Sequence, residues 1–138
     1  MSFLLDTVVL SELRKARPSA KVVHWIKAQK AQTLFVSVVS LGEIERGIDS
    51  QCKTDAVFAA ELELWLETLI RLYDDQVLPV SSDVARLWGR LSSKLGNDSL
   101  DLLIAATALT HGLTVVTRNV KHFVPTGVAV VNPFDNAD

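Results

Sequence analysis

The sequence predicts an α/β fold: a three-layer α/β/α domain with a central, mostly parallel sheet of four to five strands. Short apolar or β-branched runs recur along the chain, and segments with helical periodicity lie between them. The last two runs, residues 113–116 and 128–131, are nearly continuous in apolar and β-branched residues, which is typical of strands covered on both faces. Strands that alternate with helices in this way pair in parallel.

Each predicted element has a local cause. The predicted strands cover residues 3–5, 34–38, 77–80, 113–116 and 128–131. Pro79 favours a sheet edge for the third strand, because proline cannot donate a ladder hydrogen bond. The predicted helices begin where a residue can cap a first turn, at 6–7, 18–19, 40, 55, 81–82 and 99–101. The first predicted helix ends at about residue 14 and the second extends past residue 26. The other four end at about residues 48, 72, 96 and 111, and glycines end the last two.

The predicted helix 55–72 is apolar on more than one side. One stripe of this helix carries Leu62, Trp65, Leu66, Leu69 and Tyr73. Three further apolar residues fall off that stripe: Val57, Phe58 and Leu64. A helix with this pattern predicts burial against a second chain.

Composition narrows the class of protein. With 138 residues, of which 49% are hydrophobic and 22% charged, we expect one domain spanning residues 1–138. The single cysteine, Cys52, predicts no internal disulfide, and no Cys/His spacing indicates zinc. The first residues do not resemble a signal peptide and no apolar run is long enough to span a membrane, so we expect a cytoplasmic protein.

Charge restricts how the chain could bind nucleic acid. The net charge is -2 and the sequence pI is about 5.9. Bulk charge therefore does not attract RNA or DNA, and any contact must come from a local basic patch.

Acidic and amide side chains occur where predicted strands end or helices begin. Asp6 directly follows the first strand, Glu43 lies one turn into the helix after the second, Asp101 opens the helix before the fourth, and Asn119 follows the fourth. The carboxyl ends of parallel strands converge at one edge of a sheet. Carboxylates that meet there repel one another unless a cation neutralises them. An all-oxygen set predicts Mg²⁺, with Mn²⁺ as the alternative, activating a water for hydrolysis.

Each acid also has a structural explanation. Asp6 can simply cap the first helix. Glu43 stands three residues after Ser40, the spacing of a capping box. Asp101 can act through the helix dipole, although the apolar residues that continue its face direct its carboxylate inward. Position alone does not choose between these explanations and a metal site.

Five segments carry a family resemblance. They are LLDTVVLSEL at 4–13, SLGEIERG at 40–47, DLLIAATA at 101–108, VTRNVKHF at 116–123 and NPF at 132–134. In this order the chain resembles the PIN domain superfamily, in particular the VapC-type and FitB-like toxins of bacterial and archaeal toxin-antitoxin operons. Any one segment is weakly specific, whereas the ordered set is strongly specific.

The resemblance implies a metal-dependent endoribonuclease that acts as a toxin. Asp6, Glu43 and Asp101 match the three acids of the family, and Asn119 stands where a fourth acid or an Asn occurs. The resemblance also implies a homodimer that an antitoxin protein, encoded beside it, silences by forming a complex.

Two positions depart from the family pattern. The family usually has Asn after Asp-Thr, whereas this chain has Val8, which removes a polar group that would help to order the metal ligands. The segment before Asp101 is slightly short, so that Asp98 competes with Asp101 for the site role.

Two other hypotheses compete with the nuclease. One is a PIN-fold module, catalytically weakened by Val8, that acts through its antitoxin partner or operator DNA. The other is a phosphoacceptor receiver domain, which the lone acid after the first strand and the absence of a Lys after Val131 disfavour.

Residues around the acids complete the predicted site. We expect Thr7, Thr117 and Arg118 to contact the RNA substrate, although both threonines can equally bond local backbone. His122 has no partner evident in the sequence and is not predicted to be a catalytic base.

Overall fold

The computed structural model describes residues 1–135 and confirms the predicted sheet. Five strands, all parallel, lie in the order β3-β2-β1-β4-β5. Their bounds are β1 Phe3–Leu5, β2 Leu34–Ser37, β3 Val77–Leu78, β4 Thr114–Val116 and β5 Val130–Val131. The strand followed by Pro79 is at an edge, as predicted.

Seven helices surround this sheet in the described residues. They are α1 Thr7–Arg14, α2 Ala20–Lys27, α3 Val38–Cys52, α4 Ala56–Tyr73, α5 Ser82–Leu95, α6 Leu100–His111 and α7 Val120–Phe123. Short 3₁₀ turns cover Ala31–Thr33, Asp74–Gln76 and Val124–Thr126. Gly96 and Gly112 end α5 and α6 in left-handed conformations, which glycine adopts without the steric cost that a side chain brings.

The start of α3 corrects one prediction. The helix begins at Val38 rather than Ser40, because the Ser37 side chain caps it by accepting a hydrogen bond from the Val39 amide at 3.0 Å. Strand β2 is correspondingly one residue shorter than predicted.

The central strand separates two apolar layers. Phe3 and Leu5 of β1 face one cluster of buried side chains, and Leu4 faces the other, because successive strand residues point to opposite faces. The ring of Trp25 on α2 packs edge-on against Phe3, with 4.9 Å between centroids. This contact packs α2 against the first residue of β1, and Asp6 follows the last residue of the same strand.

Helix α4 keeps apolar residues on its outer surface. Val57 is 73% exposed and Leu64 is 66% exposed, so both lie off the buried stripe as predicted. Phe58 is only half-buried, and the Arg14 guanidinium lies 5.4 Å from its ring centroid. A second chain at this surface stays a prediction. Within residues 1–135, no helix has the length and apolar character needed to cross a bilayer.

Candidate active site

Asp6 lies at the carboxyl end of the central strand. Its backbone amide donates to the Val116 carbonyl at 3.0 Å, which places it between the ends of β1 and β4. The side chain is only 3% exposed. One carboxylate oxygen accepts from the Thr7 amide at 2.8 Å, and the other accepts from the Thr117 hydroxyl at 2.7 Å. Asp6 therefore caps α1 and also faces a second strand end.

Glu43 joins the same region through Thr7. The Thr7 hydroxyl oxygen lies 2.7 Å from Glu43 Oε1 and 2.8 Å from Ser40 Oγ, and Ser40 is completely buried. The capping-box explanation of Glu43 is therefore wrong, because Ser37 caps the helix and Ser40 lies inside it. Thr7 therefore connects the first turn of α1 to Glu43 of α3.

Asp101 occupies the first turn of α6 and has an unpredicted partner. Its Oδ2 lies 2.7 Å from Nδ1 of His122, which is on α7. Sequence reasoning missed this pair because 21 residues separate its members. The available signal was that α7 follows the end of β4, where the other functional side chains were expected.

The three carboxylates affect one another electrostatically. The pKa of Asp6 is raised to about 6. Burial is the largest cause, and the negative charges of Asp101 and Glu43 act in the same direction. The hydrogen bonds from Thr117 and Thr7 oppose these effects. Asp101 and Glu43 therefore lie near enough to Asp6 to affect its pKa, and a metal site shared by the three carboxylates stays a prediction.

The chemistry of this donor set fits a hard divalent cation. The groups that raise the pKa of Asp6 are carboxylates, and a cation beside Asp6 would offset both its burial and their repulsion. Among residues 1–135, no three His, Cys, Asp or Glu side chains are grouped so as to hold one ion together. Mg²⁺ commonly takes one or two protein carboxylates and keeps several waters, so this arrangement is compatible with it.

The remaining predicted residues, Thr117, Arg118 and Asn119, follow β4 directly in the chain. Thr117 is fully buried and its hydroxyl also accepts from the Asn119 amide at 2.9 Å, which orders the turn after β4. The Arg118 guanidinium lies 3.7 Å from the ring centroid of Phe134 and remains exposed. Direct contact of Thr7, Thr117 or Arg118 with RNA stays a prediction, as does a catalytic role for Asn119.

An open cleft of about 440 Å³ adjoins Asp101. Its walls include His122, Lys121 and Asn97 but not Asp98, which is exposed. Asp101, and not Asp98, also contributes to the raised pKa of Asp6. These observations favour Asp101 for the site role.

Val8 occupies an apolar environment. Its half-buried side chain packs against the same cluster as Phe3 and Leu5. The site therefore lacks a polar group at position 8, and the ordering of Glu43 depends on Thr7 and Ser40.

Comparison with known proteins gives a consistent assignment. The PIN domain model matches residues 3–124. The chain is 33% identical to VapC ribonuclease Y4jK of Sinorhizobium fredii, over 97% of this chain and 99% of the relative, and 30% identical to toxin FitB of Neisseria gonorrhoeae, over 95% and 97%. The crystal structure of FitAcB from Neisseria gonorrhoeae superposes with a TM-score of 0.84 at 30% identity, covering 96% of this chain and 98% of that one. The receiver-domain hypothesis is therefore wrong, and the chain belongs to the PIN domain family.

Proposed function

We propose that this chain is a metal-dependent endoribonuclease and the toxin of a toxin-antitoxin pair. One observation carries the proposal: a buried aspartate whose pKa is raised to about 6 by burial and by two neighbouring carboxylates. An ionised group with a raised pKa destabilises the fold, and such groups cluster at functional sites, where a bound cation offsets the cost. The relatives named as a ribonuclease and as a toxin support the same reading.

Asp6, Glu43 and Asp101 would hold the ion, one or two of them directly and the rest through bound water. A divalent ion supplies activation of water at neutral pH and stabilisation of charge on phosphate oxygens. The carboxylate oxygens favour Mg²⁺, with Mn²⁺ as the alternative, because both ions prefer oxygen ligands.

The surrounding residues prepare the carboxylates for this role. Thr117 and Thr7 donate to Asp6 and Glu43 respectively, which fixes the direction of their oxygens. His122 holds Oδ2 of Asp101 and leaves the other oxygen without a protein hydrogen bond among the described contacts. Lys121, which lines the cleft, and Arg118, which follows β4, would supply positive charge for the phosphates of RNA.

We infer that the partners are an antitoxin and a second copy of this chain. The resemblance to toxins of toxin-antitoxin operons supports both partners. The exposed residues Val57 and Leu64 on α4 give an apolar surface that either partner could bury. We expect the antitoxin to silence cleavage by forming a complex with the toxin.

A second candidate function is supported by Val8. If its apolar side chain leaves the metal ligands poorly ordered, the chain acts as a binding module through its antitoxin or operator DNA. The two functions make opposite predictions for purified protein.

Metal-stimulated cleavage of cellular RNA separates these candidates. We expect the purified chain to cut RNA in Mg²⁺ or Mn²⁺ and to stop when EDTA is added, measured as new fragments on a denaturing gel. Cleavage that continues in EDTA would exclude metal dependence. No cleavage with either ion, together with a tight complex with the product of the neighbouring gene, would favour the binding module.

A further inference from the structure

Helix α5 carries a row of three exposed cations. Arg86, Arg90 and Lys94 are spaced four residues apart, so they lie on one face of the helix at intervals of roughly 6 Å along its axis. Gly89 and Ser93 lie between them, and all five residues line one open depression of about 610 Å³. We call these five residues the α5 basic face.

Among residues 1–135, the cations of this face have no acidic partner. The ion pairs formed within residues 1–135 are Lys15 with Glu12 and His122 with Asp101. Asp83 borders the face beside Arg86 and Arg90 but makes no ion pair with either. In a chain of net charge -2, three adjacent unpaired cations form a local positive surface.

The α5 basic face leads to the candidate active site. Its far end, at Arg86, lies beside Thr110 near the end of α6. Its near end, at Lys94, is followed directly by Leu95, which lines the cleft together with Asp101. Helix α5 therefore runs antiparallel to α6, and its carboxyl end lies beside the cleft at Asp101.

Gly89 leaves the middle of the α5 basic face without a side chain. It lies in the middle of α5, is exposed, and a Cβ placed on it would meet no atom within 4 Å. Glycine in a helix interior costs about 1 kcal/mol relative to alanine. The absence of a side chain at this position leaves room on the face for close approach of another backbone.

We propose that the α5 basic face binds the sugar-phosphate backbone of single-stranded RNA and guides it into the cleft. The proposal rests on the proposed ribonuclease function for the identity of the ligand. A twofold contact with a second copy is disfavoured, because it would place the same cations opposite themselves. Backbone binding needs no base recognition, so the face contributes affinity without sequence preference.

Charge removal tests the proposal in a background that does not cut RNA. We compare Asp101→Asn alone with Asp101→Asn combined with Arg86→Gln, Arg90→Gln and Lys94→Gln. A fluorescein-labelled, mixed-sequence single-stranded RNA is the probe, and anisotropy is measured over a range of salt concentrations. Losing three phosphate contacts should weaken binding by roughly tenfold to a hundredfold at about 0.1 M salt and lower the salt-dependence slope by about 2.

A matched triple variant controls for net charge. Lys27→Gln, Lys30→Gln and Lys53→Gln remove the same charge from exposed positions. Lys27 and Lys30 precede the amino end of β2, and Lys53 follows the last turn of α3, so all three lie away from the cleft. This triple variant should retain most of the RNA affinity.

Gly89→Ala tests close approach without changing charge. It should raise the melting temperature by a few degrees, because alanine favours the helix, and should weaken RNA binding severalfold. Gly47→Ala on α3, also at a position with no atom within 4 Å, should stabilise the fold and leave binding unchanged.

Two results would overturn the proposal. One is equal RNA binding by the α5 and control triple variants. The other is a change of oligomeric state, measured by light scattering, that accounts for any loss of binding by the α5 variant. A third result separates the two proposals. If the α5 triple variant loses RNA binding but the wild type never cuts RNA, the ribonuclease function is contradicted and the α5 basic face remains an RNA-binding site.

Discussion

Asp101→Asn should abolish metal-stimulated RNA cleavage while the protein stays folded. Asn has nearly the same shape, and its carbonyl oxygen can still accept a hydrogen bond from Nδ1 of His122. The substitution removes the negative charge of Asp101, which we propose to hold the cation. A catalytic ion contributes several kcal/mol of transition-state stabilisation, so the rate should fall by roughly a hundredfold to a thousandfold.

The measurement is the initial rate of RNA cleavage at saturating Mg²⁺, with the melting temperature as the check on folding. Asp98→Asn is the matched control, because Asp98 lies three residues earlier, is exposed and does not line the cleft. It should leave the rate unchanged. Undiminished cleavage by Asp101→Asn, or an equal loss in Asp98→Asn, would reject the site assignment.

Asp6→Asn should make the metal-free protein more stable at neutral pH. The pKa of Asp6 is about 6 in the folded chain, about two units above its ordinary value, mainly because of burial. Ionised Asp6 therefore lowers the free energy of unfolding by about 3 kcal/mol at pH 8. The neutral Asn avoids this loss and can still accept from the Thr7 amide, while its NH₂ group can donate to the Thr117 hydroxyl in place of accepting from it.

The sign of the pH dependence follows from the raised pKa. Below about pH 4, Asp6 is protonated in both the folded and unfolded states, so wild type and variant should be equally stable there. The wild type should lose stability, relative to the variant, as pH rises from about 4 through 6. Urea unfolding in EDTA at pH 4 and pH 8 measures this difference.

Metal should reverse the effect of Asp6→Asn. A cation that binds only the folded wild type adds stability that grows with the logarithm of its concentration above its Kd, whereas the variant should gain little. A variant that is less stable than wild type at pH 8 in EDTA would contradict the electrostatic description of Asp6.

Local sequence signals predicted the strands and the ends of most helices. Buried apolar runs and capping residues act over a few neighbouring positions, so the sheet and the positions of Asp6 and Asp101 were accessible. The start of α3 was misjudged because both Ser37 and Ser40 suit a cap, and only the tertiary contact of Ser40 with Thr7 distinguishes them.

Contacts between elements that are distant in the chain could not be predicted from the sequence. The bond between Thr117 and Asp6 joins residues 111 positions apart, and the His122–Asp101 pair depends on how α7 packs beside α6. The cations of α5 could not be connected to the site from the sequence. They became relevant only because the structure places Leu95, which follows Lys94, in the wall of the cleft.

Isothermal titration of the metal-free protein with Mn²⁺ tests the shared cation most directly. We predict saturable uptake by the wild type and by Asp98→Asn, and binding weakened at least about tenfold in Asp6→Asn, Glu43→Gln and Asp101→Asn. Absence of saturable uptake by the wild type, or equal affinity in all five proteins, would contradict a metal centre built from these three carboxylates.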